Sequence, residues 1–143
     1  MPALFADTSF WIALSSRRDE YHGWALAWSR DLTRTQASIL TTEAVLWEWM
    51  NALSDAATRR VAAAGYYRCH RDAHIEVIPF NADLVDAAVQ LYGTRHDKNW
   101  SLTDCFSFVV MEQRRLVQAL TADNHFRQAG FEAVLLSEPP EGS

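Results

Sequence analysis

Short apolar segments alternate with helical patterns along the whole chain, and this alternation restricts the fold more than any other feature. The segments that we predict to be strands are Ala3–Asp7, Ser38–Thr41, His74–Phe80, Val117–Thr121 and Ala133–Leu136. Between them lie amphipathic patterns such as Trp24, Trp28 and Leu32, which fall on one face of a helix. Short strands separated by helices form a parallel sheet with helices on both faces. We therefore predict an α/β fold in which all strands end at one edge of the sheet.

The helical patterns divide the rest of the chain without a long linker or an internal repeat. The predicted helices are Thr8–Ser15, Tyr21–Leu32, Thr42–Leu53, Ala57–Arg71, Ala82–Thr94, Thr103–Arg115 and Asn124–Ala129. A chain of 143 residues has the length of one domain. We predict that residues 1–137 form this domain and that the tail at 138–143 is disordered.

Four acidic residues stand at junctions between the predicted strands and helices. Asp7 and Asp123 follow apolar strands, whereas Glu43 and Asp104 open apolar helices. Each acid taken alone is also explained as a helix cap or a turn residue. Residues at the carboxyl ends of parallel strands converge on one crevice, so we expect the four carboxylates to meet there. Because converging carboxylates repel each other, the sequence predicts a site for a hard divalent cation, which prefers oxygen ligands.

Several polar residues flank the four acids and are candidates for supporting roles. They are Thr8, Ser9, Thr121 and Asn124. The hydroxyl of Ser9 is a candidate for holding a carboxylate in place. His125 is predicted to pack beside Phe126 or to face solvent, and not to bind a metal.

Three further acids compete for a place in the site. Glu48 lies five residues after Glu43, which turns it away from that face of the helix and predicts pairing with an arginine. Asp97 precedes Asp104 in a loop and is a candidate for a supporting role, whereas Glu112 is predicted to be solvated. Trp100 is predicted either to stack on a base or to pack on the sheet edge.

Four short motifs enclose the acids, in an order that covers most of the chain. They are Phe5-Ala6-Asp7-Thr8-Ser9-Phe10-Trp11, Thr41-Thr42-Glu43, Leu102-Thr103-Asp104-Cys105 and Leu120-Thr121-Ala122-Asp123-Asn124-His125-Phe126, the last followed by Ala129-Gly130-Phe131. The first is a strand ending in D-[ST]-[SN], and the last is similar to T-x-D-x-H-F with a trailing G-F. Together they resemble the motifs of the PIN domain, especially those of the VapC-type toxins of bacterial and archaeal toxin–antitoxin pairs.

The resemblance implies a three-layer α/β/α sandwich with a five-stranded parallel sheet in the order 3-2-1-4-5. It also implies a Mg²⁺- or Mn²⁺-dependent endoribonuclease whose products carry 5′-phosphate and 3′-hydroxyl ends. Asp7, Glu43, Asp104 and Asp123 would be both its catalytic residues and its metal ligands, with Thr8 or Ser9 beside them. The implied partners are an RNA substrate, a second copy in a homodimer and a cognate antitoxin.

Composition adds a few limits to this interpretation. The formal net charge is −5, which is not typical of a nucleic-acid-binding protein, although the basic residues comprise twelve arginines and the single lysine Lys98. Cys69 and Cys105 form no disulfide framework, so we expect a reducing cytoplasm. No apolar run is long enough to span a bilayer, and the start of the chain lacks the pattern of a signal peptide.

Two other functions remain open at this stage. A non-cleaving module that binds metal or RNA would use the same residues. A receiver-like domain also gathers Asp residues and Mg²⁺ at a sheet edge, but it requires a lysine near the end of the last strand. Lys98 lies far upstream of that strand, so the sequence favours the nuclease.

Overall fold

The computed structural model describes residues 3–140 as a five-stranded parallel sheet covered by helices. The strands are β1 (Ala3–Ala6), β2 (Ser38–Thr42), β3 (Ile75–Ile78), β4 (Gln118–Leu120) and β5 (Glu132–Ala133). Their order is β3-β2-β1-β4-β5, and every neighbouring pair is parallel. This order and the α/β/α class confirm the predicted fold. The part of the predicted disordered tail at 141–143 lies outside the described residues.

Seven α-helices connect the strands and match the predicted helices closely. They are α1 (Thr8–Ser15), α2 (His22–Thr35), α3 (Glu43–Ala52), α4 (Arg59–Arg71), α5 (Ala82–Thr94), α6 (Leu102–Gln113) and α7 (Asn124–Gln128). None of the helices within residues 3–140 has the length and apolar character of a membrane-spanning segment.

The predicted bounds of the third and fifth strands differ most from the structure, each for a local reason. Pro79 follows β3 directly and has no N–H to donate, so the strand ends at Ile78 and not at Phe80. Most of the predicted strand Ala133–Leu136 is instead a 3₁₀ turn at Val134–Leu136. In this turn the N–H of Leu135 donates to the carbonyl of Thr121 at 3.2 Å. This hydrogen bond holds the buried residues Val134 and Leu135 next to the end of β4.

The core lies between the sheet and the helices and is rich in aromatic residues. Phe5, Phe10 and Phe126 are almost fully buried within it. Gly65 of α4 packs directly against the indole of Trp49 on α3, where an added Cβ would lie 2.3 Å from a ring carbon. The lack of a side chain at Gly65 therefore allows α4 to lie close against α3, a contact that positions both helices beside the carboxyl end of β2.

Candidate active site

The adjacent strands β1 and β4 end side by side and bring Asp7 against Thr121. The N–H of Asp7 donates to the carbonyl of Leu120 at 3.2 Å, and the Thr121 hydroxyl donates to Asp7 Oδ2 at 2.9 Å. The Ser9 hydroxyl also donates to this oxygen, at 3.3 Å, and itself accepts from the N–H of Ala122 at 3.0 Å. The Asp7 carboxylate is thus held by the hydroxyls of Ser9 and Thr121, two of the residues predicted to flank the acids.

Asp7 is 4% exposed, and its surroundings oppose ionisation. The pKa of Asp7 is raised from 3.8 to about 7, mainly by burial and to a smaller extent by the charges of Asp104 and Glu48. The hydrogen bonds from Thr121 and from the backbone of Thr8 lower it, but they do not offset burial. A buried carboxyl that faces two other acids becomes easier to ionise when a cation lies among them.

Asp104 lies at the start of α6, where it belongs both to the cap of the helix and to the group of acids. Ser101 caps this helix, since its hydroxyl accepts from the N–H of Asp104 at 3.0 Å. In return, the N–H of Ser101 donates to Asp104 Oδ2 at 3.1 Å, which completes a capping box. Burial raises the pKa of Asp104 and the charge of Asp123 raises it as well, whereas the contact with His125 lowers it.

His125 lies inside the site, so the prediction that it packs beside Phe126 or faces solvent is wrong. Its Nδ1 is 2.8 Å from Asp104 Oδ2 and 3.4 Å from Asp123 Oδ1. The cause is local: Asp123 caps α7 by accepting the N–H of His125 at 2.9 Å, and this tight turn directs the imidazole back towards the acids. An Asp two residues before a His at a helix start is the sequence signal that indicates such a turn.

The two glutamates of α3 face different neighbours. Both oxygens of Glu43 accept from the Tyr66 hydroxyl at 3.0 Å, and one lies 2.8 Å from His70 Nε2, so Glu43 is held against α4. Five residues along a helix correspond to a rotation of about 140°, which places Glu48 on the other flank. There its charge acts on Asp7, and within residues 3–140 it forms no ion pair with an arginine. The predicted arginine pairing of Glu48 is therefore wrong.

The remaining candidates lie outside this cluster. Asp97 is exposed and bound by Arg95 at 3.0 Å, and Glu112 is exposed as predicted. Trp100 is buried, donates to Gln128 at 3.0 Å and is covered by the Arg95 guanidinium at 4.7 Å, so it packs on the protein and is not free to stack on a base.

The two other supporting candidates contribute little to the acid cluster through their side chains. Thr8 is buried, and its hydroxyl donates to the carbonyl of Val45 on α3 at 3.5 Å. Asn124 is exposed in the first turn of α7. We infer that Thr8 supports the site through its backbone N–H, which stabilises the Asp7 carboxylate.

The donor atoms suit a divalent cation. One carboxylate oxygen each from Asp104 and Asp123 and one ring nitrogen of His125 lie within 4.8 Å of one another. Burial raises the pKa values of Asp7 and Asp104, and the negative charge of a neighbouring acid raises each of them as well. Carboxylate oxygens suit Mg²⁺ and Mn²⁺, and an added imidazole is compatible with a transition metal such as Mn²⁺.

Comparison with known proteins agrees with this geometry. The PIN domain profile matches residues 4–132. The chain is 31% identical over 129 residues to the protein named 23S rRNA-specific endonuclease VapC20 in two strains of Mycobacterium tuberculosis, an alignment that covers 90% of this chain and 95% of the relative.

Solved structures give the same result. The crystal structure of Mycobacterium tuberculosis VapC20, described as a sarcin–ricin loop cleaving toxin, superposes with a TM-score of 0.80 at 29% identity, covering 92% of this chain and 98% of that one. FitAcB from Neisseria gonorrhoeae shares the fold, with a TM-score of 0.60 at 16% identity over 91% of this chain and 94% of that one. The chain therefore belongs to the PIN-domain family, and its relatives within that family include the toxin VapC20.

Proposed function

We propose that this protein is a metal-dependent endoribonuclease and the toxin of a toxin–antitoxin pair. The observation that carries the proposal is the meeting of Asp7, Asp104, Asp123 and His125 at the carboxyl edge of the sheet. The similarity of the chain to a 23S rRNA-specific endonuclease, over 90% of its length, supports RNA, and ribosomal RNA in particular, as the substrate.

Asp104 and Asp123, with His125 beside them, would hold the cation, and Asp7 would face it from the end of β1. We assign the fourth acid to Glu48, because its charge acts on Asp7 while Glu43 is engaged by Tyr66 and His70. Mg²⁺ or Mn²⁺ bound there supplies positive charge that stabilises the phosphate under attack. The sequence predicts Glu43 as a metal ligand, whereas we propose Glu48 of the same helix, so the two residues can be compared by mutation.

The reaction is hydrolysis of an RNA phosphodiester. Water adds to phosphorus, the bond from phosphorus to the 3′-oxygen breaks, and the products carry a 5′-phosphate and a 3′-hydroxyl. The protein holds its carboxylates rigidly for this step, through Thr121 and Ser9 at Asp7 and through Ser101 at Asp104. Both cysteines are buried, so neither is placed to act as a nucleophile. Fixed charges that need no rearrangement during the reaction are the main source of such catalysis.

A homodimer is part of the proposal, and an exposed apolar surface on α3, α5 and the loop before α5 supports it. This surface, which we call the α3–α5 face, consists of Trp47, Phe80, Val85, Val89 and Tyr92. Contiguous apolar patches of this kind mark protein interfaces.

We further propose a cognate antitoxin as a second protein partner, a cytoplasmic location, and residues 1–137 as one functional domain.

Sequencing of RNA ends after induced expression tests the proposed function. We expect growth arrest together with new 5′-phosphate ends at a small number of ribosomal RNA positions. A non-cleaving RNA-binding module would arrest growth, if at all, without new ends. Absence of new ends in cells that accumulate the folded protein without its antitoxin would therefore exclude the nuclease.

A further inference from the structure

Helix α4 is the most basic element of an acidic protein. It carries Arg59, Arg60, Arg68 and Arg71, four of the twelve arginines, and no acidic residue. Its last turn also contains His70. The whole chain has a formal net charge of −5, so the concentration of positive charge on one helix contrasts with the rest of the surface.

Two arginines of α4 lie on the outer side of the helix. Ala62 and Cys69 form the buried side of the helix. Arg60, Tyr67 and Arg71 lie opposite them, within an arc of roughly 40° at 100° per residue. All three are exposed, and the Tyr67 side chain has 61% of its surface in contact with solvent. The outer side of α4 therefore presents an aromatic ring between two guanidinium groups.

In the part of the chain that the structure describes, acids neutralise three arginines, and none of the three lies on α4. Elsewhere Arg34 pairs with Asp31, Arg95 with Asp97 and Arg114 with Glu76. In each of these pairs the acid neutralises the positive charge of the arginine. In contrast, Arg60, Arg68 and Arg71 form no ion pair with any residue of the described range 3–140.

Helix α4 also lies close to the acid cluster, separated from it by α3 alone. One flank of α3 contacts α4 through Glu43, which is bound by Tyr66 and His70. The other flank carries Glu48, whose charge reaches Asp7. Packed helices have axes about 8–10 Å apart, so α4 lies one helix away from the acids, close enough for one RNA strand to reach both.

We propose that the outer side of α4 binds the phosphate backbone of the RNA substrate next to the scissile bond. This inference rests on the proposed nuclease function. Guanidinium groups match phosphate oxygens bidentately, and Tyr67 offers a ring on which a base stacks. The acid cluster repels RNA, and the unpaired arginines of α4 supply the attraction that holds the strand against that repulsion.

RNA binding by two charge-matched variants tests the proposal. The α4 variant carries Arg60→Gln, Arg68→Gln and Arg71→Gln. The control carries Arg17→Gln, Arg18→Gln and Arg30→Gln, which remove three exposed arginines that also lack ion pairs within the described part of the chain. Glutamine is a good helix former at the positions in α4 and α2, and Arg17 and Arg18 lie in an exposed turn, so both variants should fold, which thermal unfolding checks. The probe is a fluorescein-labelled sarcin–ricin loop RNA, titrated in EDTA at several salt concentrations so that binding is measured without cleavage.

We expect the α4 variant to bind this RNA at least tenfold more weakly, whereas the control binds like the wild type. Each lost phosphate contact reduces the slope of log affinity against log salt by about 0.7–0.9, so the slope should fall by roughly 2. Equal losses in the two variants would overturn the proposal, because they would reflect net charge alone. Unchanged RNA binding with lost antitoxin binding would also overturn it, since α4 would then be a protein-docking surface. Cleavage of RNA by the wild-type protein is measured separately. If the wild type cleaves RNA, either of these results counts against the role of α4 and not against the nuclease assignment.

Discussion

The hydroxyl of Thr121 donates a 2.9 Å hydrogen bond to Asp7, although 114 positions separate the two residues in the chain. The hydroxyl oxygen of Thr121 also accepts a hydrogen bond from the N–H of Asp123 at 3.0 Å. Thr121 therefore links two acids of the site, one at the end of β1 and one at the start of α7. This link exists because β1 and β4 are neighbours in the sheet and end at the same level.

We expect Thr121→Val to lower the free energy of unfolding by about 1–3 kcal/mol, because it leaves buried polar partners without hydrogen bonds. The pKa of Asp7 should rise further, since the Thr121 bond lowers it. Urea unfolding measures the stability change. Thr121→Ser keeps the hydroxyl and serves as the matched control, and equal stability of the Val and Ser variants would show that the hydrogen bond contributes nothing.

The two glutamates of α3 give a second prediction. We expect Glu48→Gln to reduce RNA cleavage by at least a hundredfold and to weaken Mn²⁺ binding, because its charge acts at Asp7. Glu43→Gln should retain most activity, since it alters only the contacts with Tyr66 and His70. Calorimetric Mn²⁺ titration and cleavage rates decide between them, and the reverse pattern would restore Glu43 as the ligand.

Asp7 should destabilise the metal-free protein at neutral pH. Its pKa is 3.8 ordinarily and about 7 in the folded protein, so between these values the folded state binds more protons than the unfolded state. The free energy of unfolding therefore falls as pH rises through this window. In EDTA, Asp7→Asn should be more stable than the wild type above pH 7, by up to about 4 kcal/mol, with the difference vanishing near pH 4.

Unfolding of both proteins across this pH range in EDTA measures the effect. The addition of Mn²⁺ is the control, because a cation that binds only the folded state stabilises the wild type more than Asp7→Asn. A variant that is less stable than the wild type above pH 7 in EDTA would contradict the account of Asp7.

The α3–α5 face should hold two copies together. Val89 is 47% exposed on α5, and Val89→Arg should convert a dimer into a monomer by placing a charge in an apolar interface. Val117, which is 62% exposed at the other end of the sheet, provides the control variant Val117→Arg. Sedimentation velocity should show a monomer for the first variant only. Dimers of both variants would place the interface elsewhere.

Sequence patterns predict most of the fold because each pattern is local. The apolar strand before Asp7 and the helical pattern of Ala82–Thr94 are each set by neighbouring residues, and the structure contains both elements. The end of the chain is the exception. Val134 and Leu135 are as apolar as a buried strand, but their backbone groups turn towards Thr121 and the 3₁₀ conformation results.

The site was harder to predict because it depends on which flank of a helix faces which neighbour. The rotation between Glu43 and Glu48 follows from helix geometry, but the sequence does not say which of them faces β1. The position of α4, which engages Glu43 through Tyr66 and His70, decides this. His125 presents a similar case, since its direction depends on the capping turn at Asp123.

The most direct test of the central claim is cleavage of purified ribosomal RNA by the antitoxin-free protein, with the RNA ends sequenced. With Mn²⁺ or Mg²⁺ we predict discrete cuts that leave 5′-phosphate ends, and none in EDTA. Asp7→Asn, although folded and more stable without metal, should not cut under any of these conditions. Cleavage by Asp7→Asn at the wild-type rate, or cleavage that persists in EDTA, would contradict the claim that a cation held by these acids carries out the reaction.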